Sequence, residues 1–198
     1  MKFLNSIKRD FSTATFALIP LAIAINLVIG QLVSILKLPI FLDSIGTVLV
    51  AVICGPWAGL LTGVVTNVVG GILLDPFFMP FAPVAAVIGL VAGFLANGGM
   101  FKNWWKSALA GVIITVAVVI VAAPIRVIVF GGITPNTVGA ITSLLVASGQ
   151  DLIQSVLEAT FLSNLADKVG TALIVFGLLK AFPVRTLARF PRSENVAA

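Results

Sequence analysis

Asn67 and Asp75 are the polar residues best placed to bind a ligand in this mostly apolar sequence. Asn67 stands among small and apolar residues, and Asp75 follows it by eight positions. In a helix that separation is about two turns, so the two side chains point in similar directions. An amide and a carboxylate on one face would line a cavity and hydrogen-bond a small polar molecule. Hydrogen bonding between helices is the alternative role for Asn67.

Other polar residues fall in connections on the same predicted side of the membrane as Asp75. The further candidates for substrate binding are Asp43, Asn136, Gln150, Asp151 and Gln154. Five of the seven acidic residues map to this side, namely Asp43, Asp75, Asp151, Glu158 and Asp167. Acidic residues contribute little to topology, so insertion does not explain the bias. It indicates either solvated loop acids and helix caps or a cavity suited to a cationic or amine-bearing ligand.

Two cations stand within or at the ends of predicted spans. We expect Arg126 to reach the interface or to pair with an acid, and Asp151 and Glu158 are its candidate partners. Asp167 and Lys168 open the last predicted span. An aspartate in a first helical turn interacts favourably with the helix dipole, whereas a lysine does not. Lys168 is therefore the better functional candidate of the two and joins the predicted substrate-binding residues.

Side chains for catalysis or metal binding are scarce. The sequence has no histidine, no tyrosine and one cysteine, Cys54. A histidine-based triad, a zinc or haem site and an internal disulfide are therefore not expected. The Walker motif G-x-x-x-x-G-K-[ST] is absent, so the chain does not hydrolyse ATP by that mechanism. We expect no enzymatic activity, no cofactor or metal, and no nucleic-acid partner.

Composition indicates that membrane helices carry these side chains. The 198 residues are 60% hydrophobic and 10% charged, with a mean hydropathy of +1.19. A soluble domain has about a quarter charged residues. With about 20 residues needed for each crossing, the length allows roughly five to seven spans. We predict an all-α integral membrane protein in which residues 1–198 form a single membrane domain lying in the lipid bilayer.

Apolar runs and breakers divide the chain into six predicted spans. They lie at about 13–36, 44–54, 57–74, 84–100, 107–130 and 165–182. The bundle thus covers residues 13–182 and includes a polar outer segment, 131–164, which is too polar for a span. We expect this segment to form one or two helices on the membrane surface or folded over the bundle. Residues 1–12 are predicted to be a cytoplasmic lead, and 183–198 a basic, frayed cytoplasmic tail.

Small residues in the third and fourth predicted spans indicate a closely packed helix pair. Gly59 and Gly63 stand four residues apart, as do Gly89 and Gly93. Such steps let two helix backbones approach closely, either within one chain or against a partner.

Basic residues orient the predicted bundle. With a cytoplasmic N-terminus, six spans place nine of the twelve basic residues on the cytoplasmic side, as the positive-inside rule requires. They are Lys2, Lys8, Arg9, Lys102, Lys106, Lys180, Arg185, Arg189 and Arg192. An even number of spans also puts both basic ends on one side. We predict a multi-pass cell-membrane protein with a cytoplasmic N-terminus and a cytoplasmic C-terminus.

Three stretches share a pattern with a known family. One is LPIFLDSIGTVLVAVICGPWAGLLTGVVTNVVGGILLDP, residues 38–76, with a short span, a Gly-Pro turn and a Gly-rich span. Another is the Pro-rich outer connection followed by a Gly-rich fourth span, and the third is NLADKVGTALIVFGLLKAFP, residues 164–183. Together they resemble the substrate-binding membrane subunits, or S-components, of energy-coupling factor (ECF) vitamin transporters. Many members carry Ala-xxx-Ala in span 1, where this chain has Thr13-xxx-Ala17.

The resemblance implies a prokaryotic six-span protein that binds a vitamin or precursor near the outer face and does not transport alone. It also implies partnership with an ECF transmembrane coupling subunit, docked through Thr13 and Ala17, and with two ATPase subunits. The acid bias makes thiamine-related pyrimidine or thiazole compounds the first substrate candidate. The aromatic residues available to stack on such a ring are Phe41, Phe77, Phe78, Phe81 and Phe130.

Three alternative functions would each require other sequence features. A self-sufficient small-solute transporter or channel would be favoured by inverted internal repeats, and none is evident. A ligand-free membrane sensor or partner subunit would look similar, although we expect no output domain within these 198 residues. An intramembrane enzyme would need an acid–base or nucleophilic set inside the bundle. The missing histidines and the peripheral acids argue against an enzyme.

Overall fold

The computed structural model describes residues 2–196, which form helices joined by short connections. The α-helices are α1 Lys2–Asp10, α2 Thr13–Ile35, α3 Ile45–Cys54, α4 Pro56–Leu73, α5 Ala82–Asn97, α6 Trp104–Phe130, α7 Thr137–Ala147, α8 Leu152–Ala181 and α9 Val184–Leu187. Two short 3-10 helices span Pro76–Phe81 and Ser193–Asn195. Because residues 2–196 include no strand, the predicted all-α class is confirmed.

Five helices are long and apolar enough to cross a membrane. They are α2, α4, α5 together with the 3-10 turn before it, α6 and α8. α3 has only ten residues, about 15 Å of helix, which is shorter than a normal crossing. Every residue of α3 is buried, so other helices shield it from lipid along its length. A sixth crossing at α3 stays a prediction.

α8 differs most from what the sequence led us to expect. It begins at Leu152 rather than near Leu165, and residues 152–164 are its first turns. Residues 152–164 are therefore continuous with the last predicted span rather than a separate helix, whereas the placement of α7 at the membrane surface stays a prediction. The buried polar residues of 152–164 are Ser155, Thr160, Ser163 and Asn164, and the Thr115 hydroxyl of α6 donates to the Asn164 backbone carbonyl at 3.1 Å. Polar residues on a helix face that is buried in protein do not prevent a span.

α4 and α5 meet at glycines, as their spacing predicts. A Cβ built on Gly89 would lie 2.2 Å from the carbonyl carbon of Gly59, and one on Gly63 would lie 2.4 Å from the carbonyl oxygen of Ala85. No larger side chain fits at those distances unless the helices separate. The close approach predicted from the two glycine steps is therefore confirmed, and it occurs within this chain.

Asn26 joins α2, α3 and α4 in the middle of the bundle. Its Nδ2 donates to the hydroxyls of Thr47 at 2.9 Å and Thr66 at 3.1 Å. The backbone N–H of Gly46 donates to its Oδ1 at 2.7 Å. A buried amide is costly unless its donors and acceptor are paired, and here they are. Asn26 therefore holds helices together.

The two ends of the described chain meet at one end of the bundle. The Asp10 carboxylate accepts from Arg192 Nη2 at 2.7 Å and Nε at 3.0 Å. The backbone N–H of Arg192 donates to the Ile53 carbonyl, and Asn195 Nδ2 donates to the Val52 carbonyl. For residues 183–196 the prediction of a frayed tail is therefore wrong, because Arg192 and Asn195 bond to the end of α3, and residues 197–198 lie outside the described residues. Both described ends lie at one end of the bundle, and their cytoplasmic placement stays a prediction.

Candidate ligand-binding site

A cavity of about 850 Å³ opens at the other end of the bundle. It lies where α2, α4 and α6 end and where α3 and α5 begin, beside the middle of α8 and away from the contact between Asp10 and Arg192. The connections that follow α2, α4 and α6 line it together with the start of α7. Cavities of roughly 300–1,000 Å³ are typical of sites for small molecules.

Five of the eight predicted substrate-binding residues line this cavity. They are Asp43, Asn67, Asp75, Asn136 and Lys168. Asn67 is buried on α4, and its Nδ2 donates to the Gly63 carbonyl at 3.3 Å. Asp75 is exposed and accepts from the backbone N–H of Phe77 at 2.9 Å, which caps the 3-10 turn. The tertiary structure thus gathers these residues from separate parts of the chain.

The other three predicted residues, Gln150, Asp151 and Gln154, are not part of the cavity wall. Asp151 caps α8 by accepting from the Ile153 N–H at 3.3 Å. Gln154 Nε2 donates to the Glu158 carboxylate at 2.8 Å on the surface of α8. Their expected contact with a ligand is not supported, because α8 starts earlier than predicted and these residues form its first turns.

Lys168 is buried at the cavity wall among groups that neutralise it. Its Nζ donates to the Asp167 carboxylate and, at 2.9 Å, to the Ser44 hydroxyl. The Asp43 carboxylate lies 3.7 Å from the same Nζ, and only 3% of the lysine side chain is exposed. Two carboxylates and one ammonium group give this cluster a formal charge of −1, and both carboxylates lie against Lys168.

Asp167 anchors the connection between α2 and α3. Its Oδ1 accepts from the backbone N–H groups of Phe41 at 3.0 Å and Leu42 at 2.6 Å. Leu42 has a φ of 49°, a region that residues other than glycine adopt at a cost, so the anchoring bonds offset strain. In the same connection, burial raises the pKa of Asp43 above its ordinary value, while Lys168 acts in the opposite direction.

Arg126 reaches the cavity from α6, and no acidic residue of the described chain pairs with it. It is 4% exposed, and its Nη1 donates to the Thr134 hydroxyl at 2.6 Å. Its guanidinium lies 5.4 Å from the centroid of the Phe81 ring. Within the described part of the chain, Nε is buried with no hydrogen bond and no carboxylate forms an ion pair with Arg126. The expected pairing with Asp151 or Glu158 is wrong, because both are engaged on the first turns of α8.

Asn136 extends the hydrogen bonds of Arg126 to the start of α7. Its Oδ1 accepts from the Thr134 hydroxyl at 2.9 Å and from the Gly139 N–H at 3.0 Å, which caps the helix. A backbone N–H needs an acceptor, so these bonds establish which end of the amide is oxygen. The remaining group, Nδ2, is buried and unpaired among the described residues. Arg126 and Asn136 thus each leave an N–H donor unused.

An aromatic wall adjoins Arg126. The rings of Phe81 and Phe130 stack at 5.7 Å between centroids with an interplanar angle of 11°. Phe77 lies 5.1 Å from Phe81 and 5.0 Å from Phe130. The aromatic residues that line the cavity itself are Phe41, Phe77, Phe78 and Phe81. This wall suits an apolar or planar ligand body.

Thr13 and Ala17, the predicted docking residues, lie on the exposed face of α2. The opposite face of this helix buries Thr15, Ile19 and Ala22 in the bundle. The exposed face of α2 is therefore accessible to lipid or to another subunit. Docking of a coupling subunit on this face stays a prediction.

Comparison with known proteins identifies the family to which this fold and cavity belong. The family model described as "ECF transporter, substrate-specific component" matches residues 14–182, from the start of α2 to the end of α8. Neither the curated proteins nor the solved structures give a match. Members of the matched family are substrate-binding transport subunits rather than enzymes, and they associate with ECF coupling and ATPase subunits. The chain belongs to the substrate-specific components of ECF transporters.

Proposed function

We propose that this chain captures a vitamin or vitamin precursor at the outer membrane face for ATP-driven import by partner subunits. The cavity of about 850 Å³ at the end opposite the chain ends carries this proposal, because it is large enough to hold a vitamin-sized molecule. Thiamine-related pyrimidine or thiazole compounds, indicated by the sequence, are the first candidates to test. Planar rings of that kind would contact the aromatic wall.

Substrate contact is proposed for the predicted residues that line the cavity. Asn67 and Asp75 present an amide and a carboxylate from α4 and the turn after it, and Asn136 presents an amide from the start of α7. Asp43 and Lys168 reach the same space, although they face each other at 3.7 Å. Their mutual pairing supports a role in shaping the wall as well as in contacting the ligand.

The proposed orientation puts both chain ends in the cytoplasm of a prokaryotic cell and opens the cavity to the outside. The distribution of basic residues supports this orientation. Energy would come from a transmembrane coupling subunit and two ATPase subunits. We propose that the coupling subunit docks on the exposed face of α2 around Thr13 and Ala17, where small side chains permit close helix contact.

Binding is tested first with the chain expressed alone. After purification in detergent, native mass spectrometry should show a bound vitamin-sized molecule, which also identifies the substrate. Uptake of that molecule into cells should then require co-expression of the coupling subunit and both ATPases. Uptake by the chain alone would favour a self-sufficient transporter. A protein that purifies without a small molecule and forms no complex with co-expressed coupling subunits would contradict the proposal.

Docking is tested separately from binding. The Ala17→Leu variant should abolish uptake while leaving the bound molecule in place, because the larger side chain keeps the coupling subunit away from α2. Ala166→Leu is the matched control, since Ala166 is an exposed alanine on α8. It should leave uptake and binding unchanged. Normal uptake by Ala17→Leu would remove this face of α2 from the docking site.

A further inference from the structure

We propose that the substrate carries an acid group, a carboxylate or a phosphoryl group, which binds between Arg126 and the N-terminus of α7. This inference rests on the proposed function, since it names the chemistry of the molecule held in the same cavity. It reverses the preference for a cationic ligand that the acid bias of the sequence indicates.

The unpaired state of Arg126 is the first observation behind this inference. A buried arginine in a membrane protein normally faces an acid or a ring of acceptors, because an isolated charge is costly there. Arg126 is 4% exposed, and within residues 2–196 it has one hydroxyl and one aromatic ring as neighbours. Because Arg126 lines the cavity, a bound ligand could supply the missing negative charge. The planar guanidinium matches the geometry of carboxylate and phosphate oxygens.

The start of α7 supplies a second, independent observation. Asn136 Nδ2 is a buried donor without a partner in the described chain, next to the Thr134 hydroxyl that Arg126 contacts. α7 is 11 residues long, and its first residues, including Thr137 and Val138, line the cavity. The first backbone N–H groups of a helix and its dipole favour negative charge. The unused side-chain groups beside α7 are thus N–H donors, which an acid group would satisfy.

Among the described residues, the carboxylates at the same cavity form no ion pair with Arg126. Asp43 and Asp167 face the ammonium group of Lys168. Asp75 is exposed and accepts a bond from the Phe77 backbone. None of these three forms an ion pair with Arg126. The acid bias seen in the sequence therefore does not produce a free anionic surface around Arg126.

Phe81 indicates where the non-acidic part of the ligand would lie. The ring lies against the guanidinium at 5.4 Å and belongs to the aromatic wall. A molecule bound to Arg126 through an acid group would therefore rest its apolar or planar part on Phe77 and Phe81. Among thiamine-related compounds, this arrangement favours phosphorylated forms over the free cation.

Four fragments that share one ring test the inference directly on the full-length chain in detergent. They are 4-fluorobenzoate, 4-fluorophenyl phosphate, 4-fluorobenzamide and 4-fluorobenzylamine, whose binding is followed by fluorine NMR. At least one of the two anions should bind about tenfold more tightly than the amide and the amine, since a charged hydrogen bond contributes about 1.5–3 kcal/mol. The better anion distinguishes a carboxylate from a phosphoryl ligand. Equal or tighter binding of the amide or amine, or no binding of either anion, would overturn the inference.

Two cavity variants and one control test whether Arg126 and Asn136 cause the preference for anions. Arg126→Gln should remove the tenfold preference for the anion. Asn136→Asp should do the same, and it keeps the oxygen that caps α7, so the helix start is retained. Arg185→Gln is the control, because it removes the same charge from an exposed position on α9. Anion binding that survives both cavity variants would contradict the assignment.

The identity of a co-purified molecule separates this inference from the proposed function. A bound neutral or cationic vitamin without an acid group would support a binding subunit and overturn the acid-group inference. A bound acid whose retention requires Arg126 would support both. Anionic fragments that bind through Arg126 in a protein that never supports uptake would uphold the anion site and count against the transport role.

Discussion

Two buried cations, Lys168 and Arg126, line the same cavity and differ in almost every contact they make. Lys168 donates to the Asp167 carboxylate and the Ser44 hydroxyl, and Asp43 lies nearby. Arg126 has one hydroxyl bond and an aromatic neighbour, with no acid paired to it in the described chain. Both side chains are almost fully buried. Lys168 has its counter-charges within the protein, whereas Arg126 has none among the residues that the structure describes.

This difference separates groups that hold the wall from groups left for a ligand. The bonds of Asp167 and Lys168 tie the connection after α2 to α8, so their removal should affect folding. The contacts of Arg126 stabilise little in the empty protein, because a buried unpaired charge is unfavourable. We therefore expect Arg126 to gain its counter-charge when the ligand binds. Substitution of Lys168 should thus lower the stability of the protein, whereas substitution of Arg126 should mainly weaken ligand binding.

The largest expected effect follows from removing the anchor. Asp167→Ala leaves the Phe41 and Leu42 N–H groups without their acceptor and deprives Lys168 of its nearest carboxylate. Breaking a buried pair on one side costs about 3–5 kcal/mol, so thermal unfolding in detergent should shift strongly downward. Asp167→Asn, which keeps an acceptor oxygen, should lose less. Wild-type stability in Asp167→Ala would show that the connection is held by other contacts.

Replacing each cation by methionine sharpens the comparison. Arg126→Met should change the free energy of unfolding of the empty protein by less than about 1 kcal/mol, since it removes an unpaired charge. The same variant should weaken binding of the preferred anion by about tenfold or more. Lys168→Met should be clearly destabilising, because Asp43 and Asp167 lose their shared cation. Thermal unfolding measures the stability of both variants, and fluorine NMR measures their affinity for the anion. Comparable destabilisation by the two substitutions would remove the distinction.

A smaller effect is expected at the polar positions found from the sequence. Asn67→Ala and Asp75→Ala should each weaken binding of the co-purified substrate by about fivefold, since one hydrogen bond contributes about 1 kcal/mol. Membrane insertion should remain intact, as measured by resistance to alkaline extraction. Titration of the emptied protein with the identified substrate gives the affinity. Unchanged affinity in both variants would remove these two residues from the site.

The smallest effect concerns pH at Asp43. Burial raises the pKa of this carboxyl in the folded protein, so the folded state binds the proton more readily than the unfolded state. The contribution of Asp43 to stability is therefore present at low pH and is lost as pH rises through the raised pKa. In Asp43→Asn this part of the pH dependence should disappear. Thermal unfolding from neutral pH down to about pH 4 tests this, and identical profiles for variant and wild type would contradict it.

Composition and local patterns were sufficient to predict the fold class and several contacts. Apolar runs of adequate length predict spans because bilayer thickness sets the helix length. The glycines of α4 and α5 predict close helix approach because a missing side chain has a local consequence. Asn67, Asp75, Asp43, Asn136 and Lys168 were recognisable as candidates since polar groups are unusual in such a sequence. The start of α8 was missed because a buried polar face and a solvated one have the same composition.

What the sequence by itself determined is that the chain is a helical membrane protein with polar residues near one end of its spans. Only the tertiary structure decided which charges are paired, because pairing depends on contacts between residues far apart in the chain. Asp43 and Lys168 are 125 positions apart and lie 3.7 Å apart at their charged atoms. Arg126 was expected to meet Asp151 or Glu158, yet it faces the cavity instead. Counting charges along a sequence ignores distance and burial, on which electrostatic free energy depends. For this reason the ligand charge that we propose from the structure differs from the one that the acid bias of the sequence favours.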